Sequence, residues 1–200
     1  MYRSENIART VFPQDSEREG FYMDKSKLGL IHIYTGNGKG KTTAALGLIL
    51  RASGRGLNVV LGQFLKGRET GELRTLSLLP GVKVFRGKPL TKFSFQMNEK
   101  EKAEVLQSHN EFIQELASCC RKEGTDLLVL DEVIGACGTH LLDESLLIDF
   151  LKHKPEHLEV VMTGRNPSPE LLELADYVSE VCKRKHPFDK GIPAREGIEK

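Results

Sequence analysis

Two hundred residues with a formal net charge of +1 suit one α/β domain with a short extension. They exclude the strongly basic surface that would draw nucleic acid or an anionic membrane. No apolar run approaches membrane-spanning length, and residues 1–9 carry charge without an apolar secretory core, so the chain reads as cytoplasmic. The four cysteines, at 119, 120, 137 and 182, match no zinc spacing and read as reduced, mostly buried thiols.

Residues 1–27 are polar and weakly patterned, with Pro13, Gly20 and mixed charges. They read as an N-terminal arm ahead of a domain spanning 28–200. Val11, Phe12 and the run Phe21, Tyr22, Met23 are apolar anchors. The arm is therefore expected either to trail in solvent or to order over a ligand or a neighbouring subunit, and the sequence admits both.

The apolar run 28–33 predicts a buried strand, and 44–52 are strong helix formers. Between them, 34–43 hold three glycines, two lysines and two adjacent threonines. A glycine-rich turn between strand and helix is the setting a phosphate needs, because backbone N–H groups and the helix N-terminus then point at the anion. Gly36, Gly38 and Gly40 allow the tight path, and Lys39 adds positive charge. Lys41 would reach phosphate oxygens, and Thr42 would offer its hydroxyl to Mg²⁺. The strict pattern G-x-x-x-x-G-K-[ST] wants glycine where Thr35 stands; the alternating glycines make up much of that deficit.

Gly54 and Gly56 are expected to end the first helix, and 57–65 to form a second strand, completing a parallel βαβ unit. Ligands bind beyond the carboxyl ends of such strands, which makes Gln63, Lys66 and Glu72 second-tier site residues. The alternating run 82–86 predicts a third strand. Phe93 and Phe95 follow in a polar loop, either plugging a minor core or lining a cavity for a large flat ligand. Asn98 with Glu101 predicts a helix start. Val105, His109, Phe112, Ile113, Leu116, Ala117 and Cys120 then form an apolar helical stripe, on which His109 reads as structural.

The apolar strand 126–130 runs into Asp131 and Glu132. In phosphate-loop proteins the strand beside the first one ends this way, and its Asp holds Mg²⁺. Asp131 is accordingly assigned to the metal and Glu132 to its shell or to a base. A helix over 141–151 capped by Asp143 follows, then a strand at 159–163. There the Thr163 hydroxyl and Arg165 would face the phosphates, Arg165 carrying leaving-group charge. Ser168 and Pro169 start a helix, and 177–181 form the last strand. The run 183–186 reads as a solvated face, and 185–199 show no periodicity. The expected fold is α/β: a phosphate-loop (RecA-like), mostly parallel sheet flanked by helices, with an N-terminal arm.

At this point the chain resembles the phosphate-loop type of corrinoid adenosyltransferase over about residues 28–199. The resemblance rests on 35–43, where that family also carries threonine first, and on 63–67, Gly71 with Glu72, 130–132 and 163–165. It continues through 185–191, Ala194 and 197–199. It implies that Co(I) of a corrinoid attacks the 5′ carbon of ATP, that triphosphate leaves, and that adenosylcobalamin or a precursor forms. ATP would lie reversed relative to ordinary phosphate-loop proteins. Gly36, Asn37, Gly38, Lys39, Gly40, Lys41, Thr42 and Thr43 would hold it, with Arg51 and Arg165 as further cations. Lys41, Thr42, Asp131 and Glu132 would carry the catalytic contribution, with Mg²⁺ or Mn²⁺ on Thr42 and Asp131. The family's Phe-Thr-Trp aromatics pack under the corrin ring and displace the lower axial ligand; Phe93 and Phe95 stand there in this chain, Phe95 replacing the Trp. A homodimer, an arm covering the corrinoid and a flavoprotein reductant are further implications. Lys200 departs from a common terminal tyrosine. Two other readings of the same residues are an ordinary nucleotide hydrolase or kinase using Glu132, and a non-catalytic ATP-binding module.

Overall fold

The computed structural model describes residues 24–199 except 68, 91 and 123. Six strands form one sheet: β1 (Ile31–Thr35), β2 (Val59–Gln63), β3 (Val82–Arg86), β4 (Leu127–Asp131), β5 (Glu159–Thr163) and β6 (Tyr177–Glu180). They stand in the order β3-β2-β4-β5-β1-β6, and every pairing is parallel. The helices are α1 (Lys41–Ser53), α2 (Gly71–Leu76), α3 (Glu99–Lys122), α4 (Val133–Gly138), α5 (Glu144–Lys152) and α6 (Pro169–Leu174).

A parallel sheet needs a crossover after each strand, and the crossing helices cover both of its faces. That is why β2 and β4 are buried at every position and read as unbroken apolar runs. Alternate side chains serve opposite faces. Val59, Leu61, Val129 and Val161 pack with Ala45, Ile49 and Leu76 from α1 and α2. Val60, Leu128, Leu130, Val160 and Met162 pack with Ile113 and Leu116 of α3, Leu147 of α5 and Leu171 of α6.

The helix ends follow the expected chemistry. Asn98 Oδ1 accepts the Glu101 N–H and Glu101 Oε2 accepts the Asn98 N–H, each at 2.9 Å, a reciprocal capping box. Asp143 accepts from the Ser145 N–H at 3.0 Å, and Ser168 from the Leu171 N–H at 3.2 Å. All seven apolar-stripe residues of α3 are buried. His109 is among them, donating from Nδ1 to the Leu141 carbonyl at 2.8 Å, and burial lowers its pKa. It is structural, as expected.

Several expectations are corrected. The first strand lies at Ile31–Thr35, three residues later than the apolar run begins, because its register is set by pairing with β5 and β6. α1 starts at Lys41 inside the glycine-rich stretch. Its other end is as expected: Gly54 caps α1 in a right-handed conformation, and Gly56, with φ 75°, makes the reversal. The short helices α2 and α4 were not foreseen; neither spans two full turns, too little for periodicity to show. β4 does not stand beside β1, since β5 is hydrogen-bonded between them. Two cysteines are buried, Cys120 and Cys137, but Cys182 is exposed. Burial, with Glu144 and Asp143 nearby, pushes the Cys137 thiol up to about 12.

Residues 24–27 form a single turn tied to the domain by Lys25 Nζ on Asp126 Oδ2 at 2.8 Å. The rest of the expected arm, with Val11, Phe12 and 21–23, lies outside the described residues. Among the described residues no helix is long and apolar enough to cross a membrane.

At the amino edge of the sheet, Glu159 Oε2 accepts the Gly29 and Leu30 N–H groups at 2.7 and 2.8 Å, and Oε1 pairs with His32 Nε2 at 2.6 Å. Burial works to raise the Glu159 pKa, but the hydrogen bonds from His32, Gly29 and Leu30 outweigh it and hold it below the usual value. A depressed carboxylate stabilises the fold above its unfolded pKa of about 4.3, and that contribution is lost as pH falls through the lower folded value. Glu159→Gln is therefore expected to lower stability at neutral pH and to flatten the acid limb of a urea-unfolding series run from pH 7 to pH 3.

Candidate nucleotide-binding cleft

All six strands run the same way, so their carboxyl ends meet along one edge of the sheet. β1 ends there and passes through Gly36 and Gly40, both in left-handed conformations (φ 101° and 123°), into α1. The first turn of a helix has N–H groups with no partner within the helix, and here they open onto the cleft.

The loop glycines have a second role that sequence reasoning missed. A β-carbon on Gly36 would lie 2.5 Å, and one on Gly38 2.7 Å, from the Val181 carbonyl oxygen. Gly38 donates its N–H to that oxygen at 2.7 Å. Asn37, expected on the nucleotide, instead accepts the Lys183 N–H at 2.8 Å through Oδ1. The chain leaving β6 is thus pressed against the back of the loop, and only glycine leaves room for it.

Lys41 Nζ donates to the carbonyls of Gly36 and Gly38 at 2.8 and 2.9 Å. Its pKa is lowered, chiefly by burial and then by Arg165, while Glu132 opposes the shift. An incoming anion would offset both causes by favouring the charged ammonium. Thr42 donates its hydroxyl to Asp131 Oδ1 at 2.8 Å. The same oxygen takes the Thr163 hydroxyl at 2.8 Å, and Thr163 Oγ1 in turn accepts the Glu132 N–H at 2.8 Å. Thr163 is fully buried, so it braces Asp131 rather than facing the phosphates as expected.

Two second-tier residues converge on the other carboxylate oxygen. Lys66 Nζ stands 3.4 Å and Gln63 Nε2 3.5 Å from Asp131 Oδ2. The remaining amide oxygen of Gln63 is buried without a hydrogen-bond partner. Glu132 holds a left-handed backbone (φ 61°) where β4 turns into α4, a strained state that glycine adopts more readily. Burial, and then Asp131, raise its pKa, while Lys66, Lys41 and Arg165 pull it down.

These groups border an open cleft of about 620 Å³. Loop and helix residues 38–43 line one side. Lys66, Glu132 and Arg165 reach it from beyond the ends of other strands, Glu72 from the first turn of α2, and 197–199 complete its lining. Lys39, Lys41, Thr42, Thr43, Glu132 and Arg165 are thereby brought together. Arg51 is not: it sits in the last turn of α1, ten residues or about 15 Å along the axis from Lys41, and does not line the cleft.

Phe93 and Phe95 do not plug a core. They are 70% and 81% exposed, with parallel rings (5° between planes, centroids 5.5 Å apart). The single turn Ser94–Gln96 holds them, closed by the Phe93 N–H on Gln96 Oε1 at 3.2 Å. Leu90, three residues before Phe93, lies against Gly67, the neighbour of the cleft residue Lys66. A β-carbon at Gly67, next to Lys66, would run into the carbonyl of Leu90, so only glycine lets the two segments lie this close.

The parallel sheet, the glycine-rich loop at the head of α1 and the Thr42–Asp131 pair define a phosphate-loop α/β nucleotide-binding protein. The family model described as ATP:corrinoid adenosyltransferase BtuR/CobO/CobP matches residues 27–199, and the chain belongs to that family. Corrinoid adenosyltransferase CobA of Salmonella typhimurium is 36% identical over 171 residues, covering 86% of this chain and 85% of that one. Corrinoid adenosyltransferases of Escherichia coli K12 and Pseudomonas aeruginosa are 33% and 32% identical, over 86% and 88% of this chain and 85% of each of theirs. Among solved structures, the cytoplasmic domain of EssC (TM-score 0.45, 15% identity, 84% of this chain and 36% of that one) and the genome packaging NTPase B204 of Sulfolobus turreted icosahedral virus 2 (0.44, 14%, 82% and 78%) are too distant to carry an argument.

The two roles of glycine in this region separate cleanly in α1 and its loop. Gly38→Ala is expected to destabilise the chain by about 1–3 kcal/mol, since the added methyl meets backbone that cannot move aside. Gly47→Ala, at an exposed position inside α1 with open space around it, should stabilise it by about 0.5–1 kcal/mol. Urea unfolding of both variants checks the contrast.

Proposed function

We propose that the cleft holds the triphosphate of ATP along 36–43 and offers the 5′ carbon to the cobalt of a corrinoid resting on Phe93 and Phe95. The chain is an ATP:corrinoid adenosyltransferase by family. The observations that support the assignment of its parts are the cationic, helix-headed cleft and an exposed parallel aromatic pair three to five residues beyond Leu90, which packs on Gly67 next to Lys66.

In the displacement, the cobalt lone pair forms the cobalt–carbon bond. The bond from C5′ to the phosphate oxygen breaks, and its electron pair leaves with triphosphate. Co(I) is nucleophile enough, so no side chain need attack or abstract a proton. The protein's contribution is position and charge stabilisation. Lys41 would exchange the Gly36 and Gly38 carbonyls for phosphate oxygens. Arg165 and Lys66, lining the same cleft, would add positive charge as the leaving group develops, and Glu132 lies within the field of these cations.

The donor set fits a Mg²⁺ ion that arrives with the nucleotide. Mg²⁺ favours one or two carboxylates plus phosphate oxygens and water, and Asp131 and Thr42 already share a hydrogen bond at the end of the loop. Among the described residues no cluster of three His, Cys, Asp or Glu forms a cage for it. Thr42 and Asp131 would hold the ion, which when bound neutralises charge on the triphosphate.

Phenylalanine rings carry no lone pair to offer cobalt. A corrinoid seated against Phe93 and Phe95 would therefore lose its lower axial donor, and cobalt without that donor accepts an electron more easily. The resemblance extends the proposal to a cytoplasmic homodimer served by a flavoprotein reductant.

Anaerobic incubation with Mg-ATP and chemically reduced cobalamin tests the reading. A light-sensitive alkylcobalamin spectrum with one triphosphate per turnover is expected, and ADP with phosphate instead would overturn it. Lys41→Ala should cut kcat/KM at least about 10²-fold. Phe93→Ala should slow the reaction begun from Co(II) and a reductant more than the reaction begun from Co(I).

A further inference from the structure

We infer that the C-terminal turn 195–199 is the wall of the cleft that faces the nucleoside, with Ile198 and Leu46 seating the base. This rests on the cleft being the ATP site. The lining is otherwise glycine, lysine, threonine, glutamate and arginine; Leu46 and Ile198 are its aliphatic side chains. Triphosphate is served by the loop and the cations. A nucleobase is flat and weakly polar, and a pocket holds such a group by covering it with apolar surface.

Ile198 is 59% exposed, an apolar side chain left uncovered on a polar cleft. The turn that presents it is locked. Arg195 donates to Glu199 from Nε at 3.1 Å, from Nη2 at 2.9 Å and from its backbone N–H at 2.9 Å. The Glu199 N–H returns to the Arg195 carbonyl at 3.0 Å, and Gly197 makes the reversal with φ 73°.

Charge points the same way. Those bonds, with Lys39 nearby, hold the Glu199 carboxyl at about 2, so it stays ionised. With Arg195 balancing its charge, the turn brings no free cation of its own to serve the phosphates, and its apolar side chain is what it offers to the uncharged end of the nucleotide.

The test compares dissociation constants for Mg-ATP and for magnesium tripolyphosphate, by calorimetry on the full chain. Ile198→Ser is expected to weaken ATP about tenfold and to leave tripolyphosphate unchanged, and Ile198→Leu to restore ATP binding. An equal change for both ligands, or none for either, would overturn the inference. Lys41→Ala run alongside separates the two levels of the argument. If it weakens neither ligand, the cleft is not the ATP site and the reading above fails; if it weakens both while Ile198→Ser weakens neither, only the role of the tail fails.

Discussion

A carboxylate shut away from water must be matched by donors, and Asp131 draws its donors from separate parts of the chain. Thr42 comes from the head of α1, Thr163 from the end of β5, and Gln63 and Lys66 from the end of β2 and the turn beyond it. Each of these segments can satisfy Asp131 only if the strands stand in register and α1 starts where it does. The same contact that satisfies the buried carboxylate therefore fixes Thr42 and Lys66, two of the residues that line the cleft. A group held in this way is preorganised, because its orientation is settled before any ligand arrives.

The second constraint is close approach of backbone to backbone. Chain leaving β6 presses on the phosphate loop at Gly36 and Gly38, and the aromatic loop presses on Gly67. These contacts join three functions that lie far apart in sequence. The phosphate loop is backed by 181–183, the aromatic platform is fixed beside Lys66, and the tail beyond 191 is led across to close the cleft. A β-carbon at those glycines would push the pieces apart. This gives the chain's spacing of glycines a physical sense that no single motif supplies.

The long elements were legible because period and capping agree. Asn98 with Glu101 and the seven-residue stripe mark α3, and the unbroken apolar runs mark β2 and β4 as strands covered on both faces. The phosphate loop was legible because few uses need three alternating glycines followed by Lys41 and Thr42. The short helices α2 and α4 were not, since six residues do not display a period. Thr163 was misplaced for a different reason. A hydroxyl at a strand's carboxyl end reads as ligand-facing, yet alternation of side chains along β5 and the demand of Asp131 turn it inward. Arg51 failed similarly: sequence proximity to the loop hides the length of α1.

By itself, then, the sequence determined the chemistry available: a phosphate loop, a carboxylate at a strand end, two aromatics in a polar loop and an α/β alternation. Those are local properties, carried by residue type and spacing. Only the tertiary structure decided which of them meet. Strand order placed β5 between β1 and β4, so Asp131 meets Thr42 across an intervening strand. The length of α1 took Arg51 away from the cleft, and the path of the last residues put Ile198 and Glu199 in its lining. Such juxtapositions depend on contacts between residues distant in the chain, which no window of sequence contains.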